Sequence, residues 1–255
     1  MLNISVAAHT DMGDLKRVNQ DALFSKTGLS GNRRIGLFIV ADGCGGLAFG
    51  EEISKLAVTY FQNFWDRELR ELLKIKKLSG EIVNAYLDKA IREINIRAIK
   101  FGKQAGKQVG TTLSLLFTVN RDYYIKNIGD SRIYLIRKKQ IRCLTEDQSL
   151  LASMLRNKEI TALEAKSFPK KNVLTMCVGF FDDIKIYSNT GKVKSGDLFL
   201  LCCDGLYNYV PDDAWQILLT GSGREELPVI AAKLRMSIPL GEARDNVSIL
   251  LARFS

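Results

Sequence analysis

Four strand-like segments lie almost end to end between Thr111 and Leu144: TTLSLLFTV, DYYIKNI, SRIYLIR and QIRCL, each broken only by a short polar or glycine-containing turn. Turns this short reverse a strand and leave no room for a parallel crossover. The stretch is therefore expected to form an antiparallel meander, and Asp130, in its second turn, is on sequence alone equally a hairpin turn residue or a site residue.

Around this block the periodicity changes twice. Leu2 to Ala8 alternates, and RRIGLFIVAD ends in a continuous apolar run, so both are predicted strands. After Gly50, residues Ile53, Leu56, Ala57, Tyr60, Phe61 and Phe64 recur at helical spacing behind Glu51 and Glu52, which favour a helix N-terminus. Ile82, Val83, Tyr86, Leu87, Ala90, Ile91 and Ile94 mark a second amphipathic helix, expected to pack on the first. A helical and irregular stretch from Gln148 to Lys171 leads to the strands IKIYSN and DLFLLCC, helices from Asp212 and Arg224, and a last strand, NVSILLARF. Strands cluster with strands and helices with helices, which points to an α+β fold with antiparallel sheets.

The chain has 255 residues and is 46% hydrophobic, enough to bury a substantial core. Only four prolines occur, and no repeat or low-complexity stretch marks a linker, so one domain over 1–255 is expected. No apolar run reaches the roughly 20 residues that span a bilayer, and MLNISVAAHTDMGD lacks the form of a signal peptide. Five cysteines without a Cys-x-x-Cys, and a single histidine, His9, argue against structural zinc or a disulfide framework and for a reducing, cytoplasmic setting. The net charge of +9 is scattered, which reads as a solvated surface rather than a nucleic-acid footprint. Neither nucleic acid nor membrane is expected as a partner.

Two apolar strands end alike: LFIVADG delivers Asp42-Gly43 and LFLLCCDG delivers Asp204-Gly205, while Asp245 opens the strand NVSILLA. A carboxylate at a buried strand end is desolvated and calls for a cation or several donors. Taken singly each Asp-Gly is a turn signal, but three converging carboxylates make a cation site. Carboxylates, carbonyls and water suit magnesium or manganese rather than zinc. Two such ions bridged by one carboxylate, for which Asp42 is the choice, lower the pKa of a shared water and clamp an in-line displacement at phosphorus.

Read together, TDMGDLKRVNQDALF, VADGCGGLAFGEEIS, GTTLSLLF, IKNIGDSRIYLIR, LTEDQS, LTMCVG, GDLFLLCCDGLYNYV and ARDNVSILLARF resemble, in order and over nearly the whole chain, the metal-dependent protein phosphatases of type 2C. The likeness is greatest to their bacterial single-domain members. The resemblance implies a central sandwich of two antiparallel sheets flanked by helix pairs, hydrolysis of phosphoserine and phosphothreonine, and two Mn2+ or Mg2+ ions with a possible third. Asp42, Asp204 and Asp245 would hold one ion, and Asp42 with the Gly43 carbonyl the second. Asp21 would order metal-bound water, and Asp130 would share a third ion with Asp204. Phosphorylated proteins, including a serine/threonine kinase and its substrates, are the implied partners of a monomer.

The family's phosphate-binding arginine is replaced by Lys16, followed by Arg17. Lysine attracts phosphate as a point charge but lacks the bidentate fork, so either Lys16 serves or Arg17 takes its place. Gln20 stands where glutamate is common, removing a negative charge near the second metal. Cys44 stands where methionine or histidine is found, so no histidine is available there as general acid. It reads as a small space-filling residue, with a redox role as the alternative. Gln148 and Met176 replace histidine and arginine near the family's flap, here about Ser149 to Lys171. His9 matches no site position and reads as structural.

Two rival readings remain. Gly43-Cys-Gly45-Gly46-Leu-Ala48 fits a dinucleotide fingerprint, but Asp42 would face the pyrophosphate and the following element is another helix. A catalytically weak pseudophosphatase acting as a binding module is the other, set against the retention of Asp42, Gly43, Asp204 and Asp245.

Overall fold

The computed structural model describes residues 2–44, 46–165, 167–170, 172–221 and 225–255, without the side chain of Asp212. Two five-stranded antiparallel sheets carry the structure. One runs β1 (Ile4–Asp11), β10 (Val247–Phe254), β9 (Leu198–Cys202), β6 (Arg132–Arg137), β7 (Gln140–Cys143); the other runs β2 (Asp21–Ser30), β3 (Arg33–Asp42), β4 (Leu113–Val119), β5 (Asp122–Ile128), β8 (Tyr187–Lys192).

The sheets face each other across an apolar layer built from both. Phe38, Leu116 and Ile125 of the second sheet meet Ile133, Phe199, Leu201 and Leu250 of the first. β4 and β9 are buried at every position, which explains their unbroken apolar sequences.

The outer face of the second sheet is covered by α1 (Gly50–Asp66), α2 (Glu68–Lys74) and α3 (Gly80–Ala105), which bury Ile53, Phe61, Leu87 and Ile94 against Leu37, Ile39 and Leu115. α1 and α3 pack together as their periodicity predicts. Glu51 and Glu52 sit in the first turn of α1; Ser79 caps α3 by accepting the Ile82 amide at 3.3 Å, and Gly106 ends it. The outer face of the first sheet takes α7 (Asp212–Thr220) and α8 (Leu227–Met236). The result is a four-layer sandwich with helix pairs outside, as expected.

The meander is not present. β4 pairs with β5 and β6 with β7, but β5 and β6 lie in different sheets, paired instead with β8 and β9. Asp130 is therefore not a hairpin turn residue but part of the crossing between sheets. Gly129, at the start of that crossing, donates its amide to the Gln148 side-chain oxygen (3.0 Å) and accepts the Gln148 amide at its carbonyl (2.9 Å), so neither group is free to start a hairpin ladder.

Smaller differences follow the same logic. The first strand begins at Ile4 rather than Leu2 and continues to Asp11. IKIYSN slides to Tyr187–Lys192, where β5 offers an edge. β2 and α2 are additional to the sequence reading. The helix expected from Arg224 starts at Leu227, and Arg224 itself, like Lys171 at the end of the flap, lies outside the described residues. Two short helices, α4 (Leu150–Arg156) and α5 (Ala162–Ala165), occupy the flap segment.

No helix is long and apolar enough to cross a membrane among the described residues. The order β3-α1-α2-α3-β4, with β3 and β4 antiparallel neighbours, removes the dinucleotide-binding reading, which needs a parallel βαβ unit.

Candidate metal centre

Asp21 and Asp42 face each other as partners at the end of the β2–β3 ladder. The Asp42 backbone is fixed from the neighbouring strand. Its amide donates to Thr112 Oγ1 (3.0 Å), while its carbonyl accepts from the Thr112 amide (2.8 Å) and Thr111 Oγ1 (2.9 Å). Thr112 Oγ1 also bonds Ser131 Oγ at 2.8 Å, which ties β3 to the residue after Asp130.

From the opposite sheet come Asp204 and Asp245. Asp204 follows β9 as the first residue of a short helical turn, α6 (Asp204–Tyr207). Gly205 must be glycine, because a Cβ there would lie 1.9 Å from the Asn246 carbonyl; that close approach seats Asp204 against the Asp245-Asn246 loop. Asn246 then gathers the N-terminal motif: its side-chain oxygen accepts the Gln20 amide (2.9 Å), and its amide nitrogen donates to the Met12 (3.1 Å) and Val18 (3.0 Å) carbonyls. The sheet ends bring Asp21, Asp130, Asp204 and Asp245 close enough to Asp42 for their charges to act on it.

Their electrostatics are those of an anion cluster short of cations. Burial first, and then the charges of Asp21, Asp204, Asp130 and Asp245, push the Asp42 carboxyl well above the usual range. Asp204 is raised to about 7 by burial and by Asp245 and Asp21, and Asp130 to about 8 by burial, Asp204 and Asp147. Asp21 rises to about 6, chiefly through burial, with Asp245 adding to it.

A hydrogen-bond chain feeds Asp21. Asn19 Nδ2 donates to Thr10 Oγ1 (2.8 Å), Thr10 lies 2.8 Å from Ser248 Oγ, and Ser248 donates to Asp21 Oδ2 (2.6 Å). This leaves Asp21 Oδ1 buried without a hydrogen-bond partner among the described residues, a cost that a cation or its water would relieve.

Among the described residues, the donor atoms of Asp21, Asp42 and Cys203 lie within 4.8 Å of one another. This trio differs from the Asp42, Asp204, Asp245 set that the family resemblance implies. Cys203 donates its thiol to the Asn246 carbonyl (3.2 Å), and burial pushes that thiol well up, so it remains protonated. A protonated thiol is a poor ligand, and hard divalent ions select carboxylates. Cys203 escaped the sequence reading because a cysteine beside an aspartate carries no signal of its own.

Of the two candidate phosphate-binding cations, the structure brings only one to the cluster. Lys16 Nζ lies 2.7 Å from Asp245 Oδ1. Burial opposes its charge, but Asp245, with Asp42 and Asp204 behind it, raises its pKa. Arg17 is exposed and pairs with no acid among the described residues.

Tyr207 Oη donates to the Asp130 carbonyl at 3.1 Å, and Arg132, gripped by Asp147 through both carboxylate oxygens, stacks 3.7 Å above the Tyr207 ring. Gln20 lies beside the start of α1, its carbonyl accepting from Ser54 Oγ at 2.6 Å. Met176 packs against the helix-side core. His9 pairs with Asp11 at 2.8 Å, which agrees with a structural role.

A family model described as protein phosphatase 2C matches residues 14–226. The chain is 31% identical to the serine/threonine phosphatase stp of Listeria welshimeri over 95% of its own length and 92% of that protein. It is 32% identical to the protein phosphatase PhpP of Streptococcus pneumoniae over 81% of its length and 80% of that protein. Among solved structures it resembles the catalytic domain of the serine/threonine protein phosphatase PstP in complex with two manganese ions, with a TM-score of 0.79, 25% identity, and coverage of 100% and 99% of the two chains.

Proposed function

The chain belongs to the protein phosphatase 2C family and is a metal-dependent serine/threonine protein phosphatase of the bacterial type, and on that premise we propose which of its residues carry the activity. Asp42, Asp204 and Asp245 would hold one Mn2+ or Mg2+ ion, and Asp42 with the Gly43 carbonyl would hold a second. Asp130 and Asp204 would share a third. The observation that carries this reading is the cluster itself: clustered aspartates raise one another's pKa and, among the described residues, one carboxylate oxygen lacks a partner and Lys16 is the one cation paired with Asp42, Asp204 or Asp245. Divalent ions answer each of these costs, and the all-oxygen donors fit magnesium or manganese.

Two divalent ions in such a site supply Lewis-acid activation of water and phosphate. The chain's own residues do the rest. Lys16 attracts the substrate phosphate at the rim. Asp21, oriented through Oδ2 by Ser248, keeps Oδ1 free to accept a hydrogen bond from water. Thr111 and Thr112 keep Asp42 from moving as charge shifts.

Phosphoserine and phosphothreonine on proteins arise by kinase action, so the partners include a serine/threonine kinase and its substrates. The same reading has one phosphatase domain over 1–255, acting as a monomer in the cytoplasm, which the free cysteines support. The test is hydrolysis of a phosphothreonine peptide with manganese, with chelator, and by Asp204→Asn. Turnover that needs both the metal and Asp204 supports the assignment, and activity of the variant equal to wild type would overturn it.

A further inference from the structure

We propose that the phosphatase carries an apolar subsite beside the metal centre that receives a hydrophobic side chain flanking the phosphorylated residue of its protein substrate. The subsite is a cavity of about 330 Å³ bordered by Cys44, Leu47, Val173, Leu174, Cys177 and Phe180. That volume lies at the lower end of roughly 300–1,000 Å³ for ligand pockets and suits one large side chain rather than a cofactor.

Its link to the reaction centre is a shared backbone. Gly43, a candidate metal ligand through its carbonyl, bridges Thr111, and Thr111 in turn bridges Val178 through amide–carbonyl bonds of 3.1 and 2.9 Å. Cys44 follows directly and donates its amide to the Gly110 carbonyl at 2.9 Å. The Gly110–Thr112 backbone that fixes Asp42 therefore also lies against Cys44, Leu47 and Cys177, which border the cavity.

A Cβ on Gly110 would lie 2.9 Å from Leu47 Cδ1, 3.0 Å from Cys177 Sγ and 3.2 Å from Cys44 Sγ, so these three lining side chains converge over Gly110. The outer wall, Val173 and Leu174, follows the flap segment and is anchored where the Leu150 amide donates to the Val173 carbonyl (2.8 Å) and the Thr175 amide to the Gln148 carbonyl (2.8 Å).

The wall is left open to solvent: Val173 is 46% and Phe180 41% exposed. A phosphoprotein whose phosphate lies at the aspartate cluster must lay its neighbouring residues on the surrounding surface. On the Asp245 side that surface presents Lys16; on the Gly43 side it presents this cavity. The occupant is thus the substrate chain itself, an extension of the site already described, and the subsite rests on the phosphatase reading of that site.

The experiment compares phosphothreonine peptides that differ only by leucine or alanine at each flanking position in turn, assayed with manganese for wild type and for Val173→Asp. The ratio of kcat/KM for the leucine to the alanine peptide is taken within each protein, so loss of folded enzyme cancels. Wild type is expected to prefer leucine by about tenfold at one position. Val173→Asp, altered at an exposed site where a charge is tolerated, is expected to bring the ratio to about one. Equal hydrolysis of all peptides by wild type, or a preference kept by Val173→Asp, would overturn the subsite alone. Hydrolysis of none of them would overturn the phosphatase reading along with it.

Discussion

Replacing Asp204 with asparagine should make the metal-free protein more stable while destroying its metal site. Asp204 titrates near 7 in the folded chain, raised by burial and by Asp245 and Asp21, against 3.8 for an ordinary aspartate. A carboxyl with a raised folded pKa contributes its stability fully below the unfolded value and loses it as pH rises through the folded one. At about 1.4 kcal/mol for each pH unit between the two values, ionised Asp204 costs the folded state about 4 kcal/mol at pH 8 and under about 2 kcal/mol at pH 5. Asp130 and Asp42 feel the same charge, so part of the cost is shared among neighbours, and its removal should recover about 2–4 kcal/mol at pH 8. For a chain of this size that corresponds to a Tm rise on the order of 5–10 °C in chelator. Thermal unfolding of wild type and Asp204→Asn at pH 5 and pH 8, in chelator and then in manganese, reads the effect. The variant should lead at pH 8, lead by less than half as much at pH 5, and fail to gain from manganese as wild type does. A variant that is less stable than wild type in chelator at pH 8, or a gain independent of pH, would refute repulsion within the cluster as the driving cost.

Other residues give separate tests. Lys16→Ala should raise KM for a phosphopeptide by about tenfold, the scale of one charge-assisted hydrogen bond, while Arg17→Ala leaves it nearly unchanged; the reverse order in steady-state kinetics would move the phosphate to Arg17. Tyr207→Phe removes the hydroxyl that holds the Asp130 carbonyl and should cost about 1 kcal/mol in urea unfolding and weaken manganese binding in calorimetry. Unchanged values in both would disconnect Tyr207 from Asp130. Phe61→Ala, at a fully buried position between α1 and the second sheet, should lose about 3–5 kcal/mol; a loss under about 1 kcal/mol would contradict the packing described.

Burial on one or both faces leaves a local trace in sequence, and those elements were legible. RRIGLFIVAD, TTLSLLFTV and DLFLLCC announce β3, β4 and β9 because nearly every residue is inside, and α1 and α3 repeat at helical spacing because one face is covered. Asp42 and Asp204 stood out as charges closing apolar runs. What could not be read was partnership. Nothing within DYYIKNI and SRIYLIR says that they belong to different sheets, since that depends on Gln148 claiming Gly129 from beyond the meander. β2 escaped because its half-exposed alternation is spread over small and polar residues. The placement of Lys16 beside Asp245 was closed to sequence for the same reason, because the loop that carries Lys16 and Arg17 is set by Asn246 and by Asp14, which accepts the Gly241 and Ala243 amides. Cys203 and Tyr207, which complete the surroundings of Asp21 and Asp130, act through contacts far along the chain.

The most direct test of the metal-centre assignment is anomalous X-ray diffraction at the manganese edge from crystals of the protein grown with Mn2+. The account predicts one peak among the Asp42, Asp204 and Asp245 carboxylates and a second beside Asp42 and the Gly43 carbonyl. Manganese absent from the aspartate cluster, or bound only elsewhere on the molecule, would contradict it.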